Sequence, residues 1–250
     1  MTSASRPGVG SDRLAFASLV VRQPPRGYRF SVDSVLLADF AAPRCEGAVL
    51  DLGTGSGIVL LLLARLCPGL SRGVGVELQA GLCDCARANI EANGLSGRLR
   101  AVLGDFRESL AGVAEGAFDL VVSNPPYRPV GAGRRNPDRQ KEIARHEVAC
   151  TMPGLFRAAS RFLSPRGRFA ALGLPHRLPE MLASAAASGI FAETLRFVHP
   201  MPGRPANLLL FAGSRRRGGG PRVLPPLCVY DAPGRYSPET EAVFRGLLRK

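Results

Sequence analysis

From Gly47 onward, short apolar runs alternate with longer segments of helical spacing. "AVLDL" (48–52) leads into "GIVLLLLARL", and "GVGVEL" (73–78) into "QAGLCDCARANIEANG"; "RLRAVLGD" (98–105) and "FDLVVSN" (118–124) follow. Apolar strands that take turns with helices predict βαβ units around a buried parallel sheet. The helix after Glu77 is expected to end at "ANG", where Gly94 can take the left-handed C-cap conformation. The polar, basic segment "VGAGRRNPDRQKEIARHEVAC" (130–150) reads as a loop running into a helix. Beyond it come a helix over 153–163, the strand "RGRFAALGL" and a helix near 177–188. Two further strands, "IFAETLRFVHP" and "ANLLLFAGS", are joined by "PMPGRP", short enough for an antiparallel return. The stretch 1–13 reads as a flexible terminus, and 14–250 as a single domain. Within it, "SRRRGGGP" (214–221) is a flexible joint before a tail (214–250) that closes with a short helix.

"AVLDLGTGSGIVL" places Gly53, Gly55 and Gly57 between a strand and a helix, where glycines allow a tight turn and let backbone N–H groups approach a ligand. The spacing is G-x-G-x-G after Asp51, not the G-x-G-x-x-G of a dinucleotide fingerprint. A second strand ends in Glu77, placed to accept hydrogen bonds from ribose hydroxyls, and a third ends in Asp105, next to Phe106. One open parallel sheet would bring Asp51, Glu77 and Asp105 together at its carboxyl edge, the usual ligand crevice. At this point both a nicotinamide dinucleotide and S-adenosylmethionine fit.

The fourth strand ends in "NPPY". Hydride transfer has no use for such an ending, whereas methylation of a planar amino nitrogen does. The N6 lone pair of adenine is delocalised into the ring, so the nitrogen needs geometry more than a base. The Asn124 side-chain oxygen and the Pro125 carbonyl can accept its two hydrogens and turn the lone pair toward a methyl donor. Pro125 and Pro126 hold the carbonyls in place, and Tyr127 offers a face on which a base can stack.

In this order, "DLGTGSG", "VEL" and "NPPY" resemble the class I S-adenosylmethionine-dependent amino methyltransferases. More narrowly, "GYRFSVDSVLLADF" (27–40), "ARHE" (144–147), "HP" with "ANLLLF" (199–211) and the tail "LPPLCVYD" resemble the bacterial tRNA adenine-N6-methyltransferases that modify the adenine beside the anticodon of a valine tRNA. The resemblance runs from about Leu14 to the C-terminus. It implies an α/β, Rossmann-like fold with a seven-stranded, mostly parallel sheet whose last strand is antiparallel, and in-line methyl transfer from S-adenosylmethionine to N6 of an adenine in tRNA. It also implies that Asp51, Gly53, Gly55, Gly57, Glu77, Asp105, Phe106 and Asn124 surround the cofactor. Phe30, Ser31 and Asp33 correspond to an N-terminal motif (14–44) that covers it. Asn124, Pro125, Pro126 and Tyr127 lie on the base, and 127–150 forms the substrate loop. In one departure, position 128 is Arg where relatives commonly carry an aromatic residue; Arg128 can stack through its guanidinium or hold a phosphate.

Charge agrees with this picture. The formal charge is +13, which attracts polyanions. Yet 31 of the 33 basic residues are Arg, so a compositional bias toward arginine contributes. Arg134, Arg135, Lys141, Arg145 and His146 are the expected RNA contacts, whereas His199 reads as a structural histidine at a strand end. Six scattered cysteines without paired C-x-x-C clusters predict reduced thiols and no metal site. Apolar runs are far short of the roughly 20 residues of a membrane span, and no hydrophobic leader is evident. A cytoplasmic monomer is expected. Two other readings stay open: a methyltransferase acting on a protein glutamine, whose amide offers the same planar NH2, and a non-catalytic RNA-binding module.

Overall fold

The computed structural model describes residues 10–14, 19–23, 32–125 and 151–247. A hairpin of β1 (Gly10–Leu14) and β2 (Leu19–Gln23) precedes helix α1 (Val32–Ala41). Its ladder takes in the last four residues of the stretch 1–13 expected to be a flexible terminus. The main sheet then alternates with helices: β3 (Gly47–Leu52), α2 (Ile58–Leu66), β4 (Leu70–Glu77), α3 (Ala80–Ala92), β5 (Leu99–Leu103) and β6 (Phe118–Ser123). After residues 126–150, which lie outside the described residues and include the expected substrate loop (127–150), come α4 (Met152–Phe162), β7 (Leu163–Gly173), α5 (Leu178–Ala187), β8 (Phe191–His199) and β9 (Leu208–Ser214).

Seven long strands lie in the order β8-β9-β7-β6-β3-β4-β5, with β9 antiparallel to both neighbours, as the family resemblance implies. The tail adds two short strands, β10 (Arg222–Val223) and β11 (Leu227–Cys228), both parallel to β8. A small hairpin, β12 (Tyr230–Ala232) with β13 (Arg235–Tyr236), and helix α6 (Pro238–Gly246) complete the described chain.

Alternation along the strands sends side chains to two apolar layers. Val49, Leu120, Val122 and Ala170 pack under α1, α2 and α3, where Ile58 to Leu63 of α2 are all buried. Leu50, Leu52, Val121, Phe169 and Phe211 face α4 and α5 instead. An unbroken apolar helix such as "IVLLLL" suits this inner position, since a helix hydrophobic all round belongs inside a layered core. On the second face Phe156 of α4 meets Phe169 and Phe211 edge-on, with centroids 5.1 and 5.3 Å away. Thr151 starts α4 by accepting a hydrogen bond from Gly154 N, leaving the apolar stripe of the helix turned onto the sheet.

Phe156 is fully buried at the centre of that aromatic cluster. Phe156→Ala should therefore lower unfolding stability by about 3–5 kcal/mol in urea titrations; a loss below about 1 kcal/mol would show that the second layer is not packed as described.

Candidate active site

Parallel pairing sets the strand ends side by side. Asp51 of β3 lies opposite Gly75 of β4 and Val122 of β6, and Glu77 of β4 opposite Leu103 of β5. Gly53 and Asn124 each stand two residues beyond the Asp51–Val122 pair, so the glycine turn and the Asn124–Pro125 exit share one edge of the sheet.

The turn is held from below. Gly53 N and Thr54 N both donate to Val76 O (2.9 and 3.0 Å), and Gly55 N donates to Glu77 Oε2 (2.9 Å). Gly53, Gly55 and Gly57 have φ of 74°, 58° and 83°, the left-handed region open to glycine. A Cβ at Gly53 or Gly55 would meet nothing within 4 Å, so both face open space; at Gly57 it would sit 3.3 Å from Ala86 Cβ. The first two glycines thus leave the crevice open, while the third lets α2 start close against α3. The absent side chain of Gly75 matters too, because a Cβ there would come within 2.6 Å of Thr54, the residue that bonds Asp51.

Two carboxylates form the floor. Asp51 is 1% exposed and Glu77 4%. Asp51 Oδ2 accepts from the Thr54 hydroxyl (2.7 Å), while its Oδ1 is buried with no partner among the described residues. Burial pushes the Asp51 carboxyl up to about 7, against the downward pull of the Thr54 hydroxyl, and the nearby Glu77 charge adds to the rise. Glu77 Oε1 accepts from Gln79 N (2.9 Å). Asp105 leaves β5 in the neighbouring loop, where the Arg107 side chain and backbone N–H hold its carboxyl below the usual range. Arg161 of α4 fastens that loop by donating to the carbonyls of Phe106, Arg107 and Glu108 (2.7, 2.9 and 2.7 Å).

On the β6 side, the Ser123 hydroxyl donates to Leu52 O (2.8 Å), locking the two strand exits together. Asn124 follows, half-buried, and its Nδ2 donates to Ser34 Oγ (3.1 Å) in the first turns of α1. Pro125 is buried. Asp33 lies beside Ser34 in the first turn of α1.

Of the residues singled out by sequence, the structure therefore brings Asp51, Gly53, Gly55, Glu77 and Asn124 to one edge, with Asp105 and Phe106 in the next loop. Phe30, Ser31, Pro126, Tyr127, Arg128, Arg134, Arg135, Lys141, Arg145 and His146 lie outside the described residues. His199 bonds Arg204 O through Nδ1 (2.6 Å), in keeping with a structural role. Sequence reading missed Ser34, Arg107 and Arg161, and also Leu78 and Leu103, large apolar side chains 43% and 47% exposed beside Glu77. An apolar residue directly after a strand-ending acid is the signal that could have found Leu78.

Because the folded-state value of Asp51 lies above the ordinary 3.8, the native protein holds this proton more tightly than the unfolded chain. Its contribution to stability is full below about pH 4, is lost as pH rises through about 7, and is flat beyond. Asp51→Asn removes this dependence, so its melting temperature relative to the unsubstituted protein should be higher at about pH 8 than at about pH 4. Equal differences at both pH values would contradict the buried, half-partnered carboxyl.

Comparison with known proteins agrees with this geometry. Residues 30–172 match the methyltransferase small domain family. A tRNA1(Val) (adenine(37)-N6)-methyltransferase from Porphyromonas gingivalis is 32% identical over 240 residues, covering 92% of both chains. The protein of that name from Tolumonas auensis is 29% identical, covering 92% of this chain and 94% of its own. Among solved structures, a predicted O-methyltransferase from Agrobacterium tumefaciens superposes with a TM-score of 0.68 at 18% identity, covering 86% of this chain and 96% of that one. Geranyl diphosphate C-methyltransferase from Streptomyces coelicolor, solved with S-adenosyl-L-homocysteine, gives 0.54 at 16% identity, covering 72% and 77%. The chain belongs to the methyltransferase small domain family and, within it, to the bacterial tRNA (adenine-N6)-methyltransferases.

Proposed function

We propose that this chain methylates N6 of an adenine in tRNA, in the anticodon loop, with S-adenosylmethionine as methyl donor. The observation that carries the reading is the Asn124 amide, anchored through Nδ2 on Ser34 at the strand exit next to the glycine turn. In this reading the Asn124 side-chain oxygen is the acceptor that the exocyclic amine meets.

The crevice suits this donor. Its glycine turn is open at Gly53 and Gly55, and Asp51 Oδ1 is a buried acceptor left over for a ligand's donor. Asp51, Gly53, Gly55 and Glu77 would hold the cofactor, and the exposed apolar surfaces of Leu78 and Leu103 beside them suit the flat face of a purine. A cationic ligand beside these acids would favour their charged forms. S-adenosylmethionine supplies an electrophilic methyl group on a cationic sulfur. Asn124 Oδ1 and the Pro125 carbonyl accept the two N6 hydrogens and orient the nitrogen.

An unpaired loop adenine costs less to swing into such a pocket than a stacked duplex base. The +13 charge favours RNA, and the names of the relatives point to tRNA. Work on tRNA also fits a cytoplasmic protein; among the described residues no helix is long and apolar enough to cross a membrane.

Protein incubated with labelled S-adenosylmethionine and total tRNA from a strain lacking the enzyme should place label in N6-methyladenosine. Asn124→Ala should bind S-adenosylhomocysteine within about threefold of the unsubstituted protein yet lose methyl transfer by about 100-fold or more. Near-normal turnover by that variant, or label found elsewhere than adenine N6, would refute the reading. In the same assay tRNA affinity should fall about tenfold or more between roughly 50 and 200 mM salt.

A further inference from the structure

The N-terminal hairpin reaches the glycine turn through one side chain. In an antiparallel ladder, alternate residues of a strand turn their N–H and C=O groups to opposite edges. On β2 the edge away from β1 carries Val20 and Arg22, and it meets helix α3, not another strand. Two asparagines one helical turn apart take the place of that strand. Asn93 Oδ1 accepts from Val20 N (3.0 Å) and its Nδ2 donates to Val20 O (2.8 Å). Asn89 Oδ1 accepts from Arg22 N (2.7 Å) and its Nδ2 donates to Arg22 O (2.9 Å).

Asn89 does more. It is fully buried, and its Nδ2 also donates to Ser56 O (2.9 Å), inside the glycine turn. Each of these three successive residues thus has one backbone group held by a different partner: Gly55 N by Glu77, Ser56 O by Asn89 and Gly57 N by Thr54 O. A buried amide keeps such an orientation only while its oxygen and nitrogen stay satisfied. If β2 leaves α3, Asn89 loses both Arg22 partners and the constraint that aims it at Ser56.

We propose that Asn89 is a positioning residue that couples docking of the N-terminal hairpin to cofactor affinity. The inference rests on the crevice being the S-adenosylmethionine site. The coupling is reciprocal by linkage: a ligand that selects the pinned turn tightens the hairpin by the same factor as the hairpin tightens the ligand.

The test uses the full chain, S-adenosylhomocysteine calorimetry and the exchange rate of the Arg22 amide read by NMR. In the unsubstituted protein, saturating S-adenosylhomocysteine should slow Arg22 exchange about five- to tenfold. Asn93→Ala removes the Val20 bonds and the Asn93 Nδ2 bond to the Asn89 carbonyl (2.7 Å), but leaves the Asn89 side chain and the crevice residues in place; it should quicken Arg22 exchange and raise the Kd for S-adenosylhomocysteine by a similar factor. Asn89→Asp keeps an acceptor for Arg22 N but has no donor for Ser56 O, and should raise the Kd further, with circular dichroism confirming the fold of both variants. Arg22 exchange indifferent to the ligand, or quicker exchange in Asn93→Ala at an unchanged Kd, would overturn the coupling. An unsubstituted protein that does not bind S-adenosylhomocysteine would overturn the cofactor reading itself, and the coupling with it.

Discussion

Parallel pairing of β3 with β4 on one side and β6 on the other is the constraint from which the site follows. Because these strands run the same way, their carboxyl ends come out on one edge, and the residues that end them arrive together without any contact between them in sequence. Asp51 and Asn124 are 73 positions apart, yet the ladder places them two register steps from each other. The Ser123–Leu52 hydrogen bond then ties the β3 and β6 exits at the point where they leave the sheet. A slip of one residue in either ladder would turn Asp51 or Glu77 to the other apolar layer.

The electrostatics of the crevice run against those of the molecule. A chain with formal charge +13 keeps two carboxylates nearly dry at the centre of its sheet edge, and among the described residues they accept from backbone N–H groups and a hydroxyl, with Asp51 Oδ1 left over. Among the described residues, arginine meets an acid one loop further out, where Arg107 engages Asp105. Among the described residues, the acids of the floor therefore have no cationic partner where the glycine turn opens, while Asp105 in the loop beyond is paired with Arg107. For the protein alone, an Asp51 carboxyl pushed up to about 7 is a cost; it becomes an asset when a cationic, hydroxyl-bearing ligand offsets it.

Much of this was legible along the chain because it depends on local pattern. Alternating apolar runs revealed the strands, "GTGSG" the turn, and strand-ending acids the floor; each is a feature of a few adjacent residues. What stayed hidden depends on partners far apart. Ser34 meets Asn124 across 90 positions, and Asn89 meets Arg22 across 67. "ARANIEANG" reads as an ordinary helix end, and nothing in its spacing says that two of its asparagines stand in for a β-strand. The hairpin pieces "GSDRL" and "LVVRQ" are five residues each, and β10 and β11 two each, too short for periodicity to rise above noise. The two asparagines of one helix, like the serine of another, act through tertiary placement, which single-chain pattern does not carry.

The antiparallel β9 has a consequence for biogenesis. It lies between β7 and β8 in space but follows both in sequence. During synthesis, then, β7 emerges with one flank already bonded to β6 and the other bare until residues 208–214 leave the ribosome. The half of the sheet that carries the glycine turn can assemble early, from near neighbours, whereas closure of the other half waits for the late insertion of one strand between two earlier ones. The nascent chain thus has the glycine turn and its neighbouring strand ends before it has a closed sheet, and its window of exposure to aggregation lies on the side away from that turn.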